Sequence, residues 1–161
     1  MTSQPPPRCL AAFTASPAAQ PGAEIGSLDG QNFFWSLGCR CSGSSFAVRS
    51  AYGPHFYLKN PVAHGPIALR CVACGREDSC FDPAQHGLDA ESDFFPPPER
   101  DDDAELRDFA CPICGAGAFE VIARFEYATS PAEEDLFTYF MLIVTCSSCR
   151  LIVPVADVQC A

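Results

Sequence analysis

Two Cys-x-x-Cys pairs in the second half of the chain, Cys111-Pro112-Ile113-Cys114 and Cys146-Ser147-Ser148-Cys149, constrain the fold more than any other feature. Together they supply four thiols, the number that a tetrahedral zinc ion takes in a closed structural site. An earlier set, Cys39-Arg40-Cys41 and Cys71-Val72-Ala73-Cys74, offers four more. The pattern suits two Zn²⁺ ions. Cys39, Cys41, Cys71 and Cys74 would hold one, and Cys111, Cys114, Cys146 and Cys149 the other.

The residues around the pairs are strand-forming. Asn32–Leu37, Ser45–Arg49, Phe56–Leu58 and Ile67–Arg70 are apolar or aromatic stretches broken by Gly53-Pro54, Pro61 and Gly65-Pro66. Phe119 to Tyr127 alternates, with Phe119, Val121, Ala123, Phe125 and Tyr127 on one face and Glu120, Arg124 and Glu126 on the other. Leu136 to Thr145 is apolar on both faces, which predicts a central, covered strand. Pro154 marks the returning segment as an edge strand, because proline cannot donate to a ladder. Each cysteine pair thus falls at a strand end, where a tight turn directs two sulfurs and several N–H groups to one point.

Composition divides the chain into four parts. Residues 1–28 are rich in Pro, Ala, Gly and Ser and predict a mobile, disordered tail that leaves Cys9 as an isolated thiol. Residues 29–88 form a first unit and 109–161 a second. Between them, 89–108 carry Pro96-Pro97-Pro98 and the acidic run from Glu99 to Glu105, an exposed Pro-rich connection.

The spacing repeats. Cys41 to Cys71 is 30 positions and Cys114 to Cys146 is 32. Two cysteine turns joined by a β-hairpin resemble the zinc ribbon class in general, over about 39–82 and 109–157. The second copy, Cys-Pro-Ile-Cys-Gly then Cys-Ser-Ser-Cys, matches that pattern well. The first departs from it, because Cys39-x-Cys41 is one residue short. The resemblance implies a mostly β protein of two tandem zinc-ribbon-like units that share a sheet or pack sheet to sheet.

Charge and compartment limit the function. Eleven cysteines without an export signal at the N-terminus suit the cytoplasm, where thiols stay reduced and paired spacing favours metal over disulfides. No run reaches the roughly 20 apolar residues of a membrane span. The formal net charge is −10. Twelve acidic and three basic residues between Arg76 and Asp108 account for −9 of it. So acidic a chain repels phosphate backbones, which argues against nucleic acid and favours a protein partner, of basic character if the acidic run is the contact. A nucleic-acid-binding ribbon would have to assemble its basic surface from Arg40, Arg49, Lys59, Arg70 and Arg124.

Enzymatic signals are weak. There is no Gly-rich phosphate loop, His-Glu-x-x-His or nucleophile elbow, and four-thiolate sites leave no open coordination position. A thiol-redox enzyme would place its dithiol at a strand-to-helix junction, a context missing here. Cys80 and Cys160 read as small buried residues, and His86 as a hydrogen-bonded loop histidine rather than a cluster with Asp82 and Asp89. The expectation is a non-catalytic metal-binding protein serving protein–protein interaction, with nucleic-acid binding and thiol redox as the alternatives.

Overall fold

The computed structural model describes residues 4–22, 31–53, 61–83, 85–86, 105–127 and 137–159. The strand expected at 56–58 and the acidic residues 99–104 lie outside them, as do Cys160 and Asp89. The chain opens with a short 3₁₀ turn at Arg8–Leu10 and continues as β1 (Thr14–Pro17), β2 (Gln31–Gly38), β3 (Phe46–Ser50), β4 (Tyr52–Gly53) and β5 (Val62–Ala63). Then come β6 (Ile67–Cys71), β7 (Glu77–Phe81), β8 (Arg107–Asp108), β9 (Phe119–Tyr127), β10 (Tyr139–Cys146) and β11 (Ile152–Gln159). Among the described residues there is no α-helix. Apart from the small β4–β5 pair, every strand among the described residues belongs to one nine-stranded sheet.

The centre of that sheet is set by two interrupted strands. β2 pairs with β9 from Gln31↔Tyr127 to Ser36↔Ile122, and β3 meets the same strand at Phe46↔Phe119. β2 and β3 therefore run in line along one edge of β9, with residues 39–45 looped out between them. The partner strand is interrupted in the same way. β8 pairs with β3 at Arg49↔Asp108 and Ser50↔Arg107, the Phe109 N–H donates to the Val48 carbonyl, and residues 110–118 loop out before β9 begins. The two interrupted strands are antiparallel and cross at Phe46 and Phe119.

That crossing relates the two halves of the molecule. Phe46 pairs with Cys71 on β6, and Phe119 pairs with Cys146 on β10. Cys71, Phe46, Phe119 and Cys146 form one row across four strands. The next backbone bonds correspond too: Val72 N–H to Ser45 O at 2.9 Å and Ser147 N–H to Ala118 O at 3.0 Å. β6 continues to β7 as β10 continues to β11. The clusters and registers thus fit tandem units joined in a single sheet.

One face of the sheet carries the main core, in which Phe46, Val48, Leu69, Phe81, Phe119, Val121, Phe125, Phe140, Leu142 and Val144 are all at most 1% exposed. The alternation expected along β9 puts Phe119, Val121, Ala123, Phe125 and Tyr127 on this face. β10 lies between β9 and β11 and is buried on both sides, as its sequence predicts. β11 pairs with β10 alone among the described strands, and the ladder shifts register beside Pro154, where the missing N–H does least harm.

Three expectations are corrected. Residues 4–22 are not a disordered tail: Leu10 is 1% and Phe13 9% exposed, and β1 pairs with β2 from Thr14↔Gly38 to Pro17↔Trp35. Two large apolar side chains anchor a segment whose average composition is that of a linker, and the open edge of β2 supplies the backbone partners. Arg107 and Asp108, assigned to the connection, form β8, because β3 beyond its crossing with β9 needs a neighbour for its own backbone groups. Arg124, expected on a solvated face, is only 3% exposed. Its Nε donates to Asn32 Oδ1 at 2.8 Å and its Nη2 lies 3.6 Å from Glu126 Oε2. Its guanidinium also lies over the rings of Phe34 (5.9 Å) and Tyr139 (5.4 Å), while the Tyr139 hydroxyl donates to Asp157. The charge is tolerable there because partners surround it.

Candidate metal centres

Each interruption of the central strands brings a cysteine turn against a second turn at the far end of a hairpin. Cys39 and Cys41 come directly after β2 and meet Cys71 and Cys74 in the β6–β7 turn. Cys111 and Cys114 precede β9 and meet Cys146 and Cys149 in the β10–β11 turn. Within each group the four sulfurs lie within 4.8 Å of one another, and each group could hold a metal ion. All eight sequence-predicted residues fall into these two groups, and among the described residues into no other combination.

The sulfurs are spaced too widely for disulfides. Cys39–Cys74 and Cys41–Cys71 are 3.6 Å apart, Cys111–Cys149 is 3.6 Å and Cys114–Cys146 is 3.5 Å. A tetrahedral thiolate site with bonds of about 2.3 Å places its sulfurs about 3.8 Å apart, whereas a disulfide holds them at about 2.05 Å. All eight are free cysteines, the four separations are far longer than a disulfide, and each group could hold a metal ion.

The turns have one local solution. In the three Cys-x-x-Cys turns the first cysteine exchanges backbone bonds with residues just past the second. Gly75, Gly115 and Arg150 donate to the carbonyls of Cys71, Cys111 and Cys146, at 2.8, 2.8 and 3.0 Å. Cys71, Cys111 and Cys146 donate in turn to Arg76, Ala116 and Leu151, each at 2.8 Å. The residue after the second cysteine is left-handed in all three, with φ of 75° at Gly75, 74° at Gly115 and 63° at Arg150. The short turn does the same with one residue fewer. Ser42, φ 75°, donates to Cys39 O at 2.8 Å, and Cys39 N–H reaches Gly43 O at 2.7 Å. Removing a residue between the cysteines tightens the return bond and keeps the left-handed step. Gly43 is required for a different reason: a Cβ there would stand 2.8 Å from Cys71 Sγ and 3.3 Å from Cys41 Sγ.

Backbone N–H groups also set the acidity of the sulfurs. Cys111 is pulled down to about 6 and Cys71 to about 7, chiefly by N–H bonds from Cys114 and Cys74 that outweigh burial. Cys146 is lowered by the N–H of Cys149 in the same manner. Cys41 and Cys149 move the other way, to about 12, and Cys114 is also raised. In these three the N–H of Gly43, Leu151 or Ala116 favours the thiolate, but burial and the neighbouring sulfurs together prevail. Four sulfurs this close cannot all carry charge unless a cation sits among them. Cys39, Cys71, Cys111 and Cys146 are buried and the other four exposed, so each group has a buried floor and an open rim.

The two groups touch. Ser45 Oγ, beside the first, lies 3.2 Å from Ser147 Oγ in the second. Other candidate residues lie elsewhere. His86 Nδ1 accepts the Asp82 N–H at 3.0 Å and its ring stacks on Phe81 at 5.2 Å, so it is a packed loop histidine. Trp35 is 4% exposed within the core, and Phe33 packs edge-on to Tyr127. No helix of the described chain is long and apolar enough to cross a membrane. Comparison with protein-family models, curated proteins and solved structures finds no match.

Proposed function

We propose that the protein is a non-catalytic scaffold in which two structural Zn²⁺ ions hold a curled sheet in shape for binding another protein. The observation that carries this proposal is the pair of four-sulfur groups, placed where the two central strands are interrupted. Zinc fits four thiolates at these separations without demanding redox change, and a closed tetrathiolate site leaves no position for substrate. At both interruptions the chain leaves the sheet and returns, and a metal bridging the two turns fixes the register of β3 against β9.

The partner is a protein of basic character, met in the cytoplasm. The net charge supports this, and so does the fate of the arginines. Arg40 donates to Ala11 O and Arg107 to Tyr52 O. Arg49 and Arg70 face Glu77, Arg70 also reaches Asp108 at 2.8 Å, Arg76 pairs with Asp78 and Arg150 with Glu120. A nucleic-acid surface needs cations to spare for phosphates, and these side chains are engaged within the fold.

The zinc-loaded protein is expected to retain a partner from native extract that elutes with salt, and D101N/D102N/D103N to weaken retention while leaving metal content intact. Equal retention by wild type and variant would remove the acidic-contact half of the proposal. Retention of nucleic acid in place of protein would overturn it.

A further inference from the structure

Cys9 and Cys80 belong to neither sulfur group. The 3₁₀ turn at Arg8–Leu10 packs against β7, the strand that carries Cys80. Leu10 and Cys80 are each 1% exposed and lie in the same buried cluster, with Cys9 partly buried against it. Burial first, and then the nearby Cys9 sulfur, push the Cys80 thiol well up. Leu10, Phe13 and the β1–β2 ladder hold the turn against the sheet.

We propose that Cys9 and Cys80 are an oxidation-sensitive thiol pair that closes into a disulfide and staples the N-terminal segment to β7. The oxidant class is a peroxide. The half-buried Cys9 reacts first: its thiolate attacks one peroxide oxygen, an S–O bond forms, the O–O bond breaks, and the leaving hydroxide takes a proton to become water. The Cys80 sulfur then attacks the Cys9 sulfur, an S–S bond forms, the S–O bond breaks, and a second water leaves. Two thiols lose two electrons and hydrogen peroxide gains them. Cys80 is the resolving partner because its burial makes it the poorer first nucleophile. The bridge closes a loop of about 70 residues, long enough to restrict the unfolded chain strongly.

The test treats the reduced full-length protein with one equivalent of hydrogen peroxide, alkylates it, and maps tryptic peptides without reduction. The expected product joins residues 9–40 to 77–100 through Cys9 and Cys80, is two hydrogens lighter than the parts, and disappears on reduction. Metal content, measured in parallel, stays unchanged. Cys9→Ser, at a half-buried position, must abolish the cross-link and leave Cys80 as a free thiol. Cys80→Ser must leave Cys9 as a sulfenic or sulfinic acid, and if that core variant does not fold, Cys9→Ser alone decides. Recovery of Cys9 as a sulfinic acid beside an unmodified Cys80 in the wild type, a bridge from Cys9 to any other cysteine, or metal loss preceding the bridge would each overturn the proposal.

Discussion

In the second sulfur group both turns have two residues between their cysteines, and the left-handed steps fall to Gly115 and Arg150. In the first group one turn is a residue shorter, its left-handed step falls to Ser42, and Gly43 is pressed between two sulfurs. The Cys39–Cys74 and Cys41–Cys71 separations nevertheless agree to 0.1 Å with those of Cys111–Cys149 and Cys114–Cys146. The spacing of the cysteines is therefore not what defines the turn. What the four turns share is a left-handed residue directly after the second cysteine, closing a backbone bond to the first. The first group accommodates its shorter turn with a tighter fit around Gly43 and a left-handed serine, and should be the weaker of the two.

Metal removal should give the largest effect. Apparent binding free energy for a structural zinc site is on the order of 10 kcal/mol. A strong chelator is expected to abolish the cooperative melt seen by circular dichroism, with the first group emptying before the second in a graded titration. An unchanged melt would break the scaffold account, and the reverse order would break the comparison.

Acid should act next. Cys71 and Cys111 hold their protons less tightly when folded than an ordinary thiol near 9, with values of about 7 and about 6. Their stabilising contribution is complete above pH 9 and is lost as pH falls through 7 to 6. Metal competes with protons for the same sulfurs and a bound ion lowers their proton affinity further, so release should begin at or below that window and be complete in strong acid. Retention of both ions in strong acid would contradict this.

Gly43→Ala should be smaller and confined to one group. Forcing a methyl against Cys71 Sγ is an overpacking change, typically about 1–3 kcal/mol. It should weaken metal binding at Cys39, Cys41, Cys71 and Cys74 and leave the other four sulfurs loaded, read as one ion retained under mild chelation. Smallest is Ser42→Gly, which relieves a left-handed L-residue and should raise the melting point by an amount equivalent to about 1 kcal/mol. A loss of stability would show that Ser42 contributes more than its backbone angle.

Much of this was legible in the residues. The cysteine pairs located both sulfur groups, and the two-faced apolar run from Leu136 to Thr145 announced the central strand found at Tyr139–Cys146, because burial on both sides leaves no polar alternation. The short Cys39-x-Cys41 turn could be assigned only by its repeat with the second copy. Other features were hidden for physical reasons. Leu10 and Phe13 are too few to mark a segment as ordered, and their burial depends on surfaces supplied by residues far along the chain. β8 spans only two residues, too few for a pattern. Arg124 on an alternating strand reads as solvated, and only Asn32, Phe34 and Tyr139 on neighbouring strands make its burial tolerable. The packing of the Arg8–Leu10 turn on β7 joins positions no local rule connects.

The central claim is that eight sulfurs form two metal sites, one per interrupted strand. Its most direct measurement is metal stoichiometry by mass spectrometry of the intact folded protein and of two variants, Cys41→Ser and Cys114→Ser, each at an exposed rim position. Two zinc ions are expected in the wild type and one in each variant, with the remaining ion assigned to the untouched group by cysteine protection from alkylation. A single ion in the wild type, or loss of only one ion when both variants are combined, would contradict the claim.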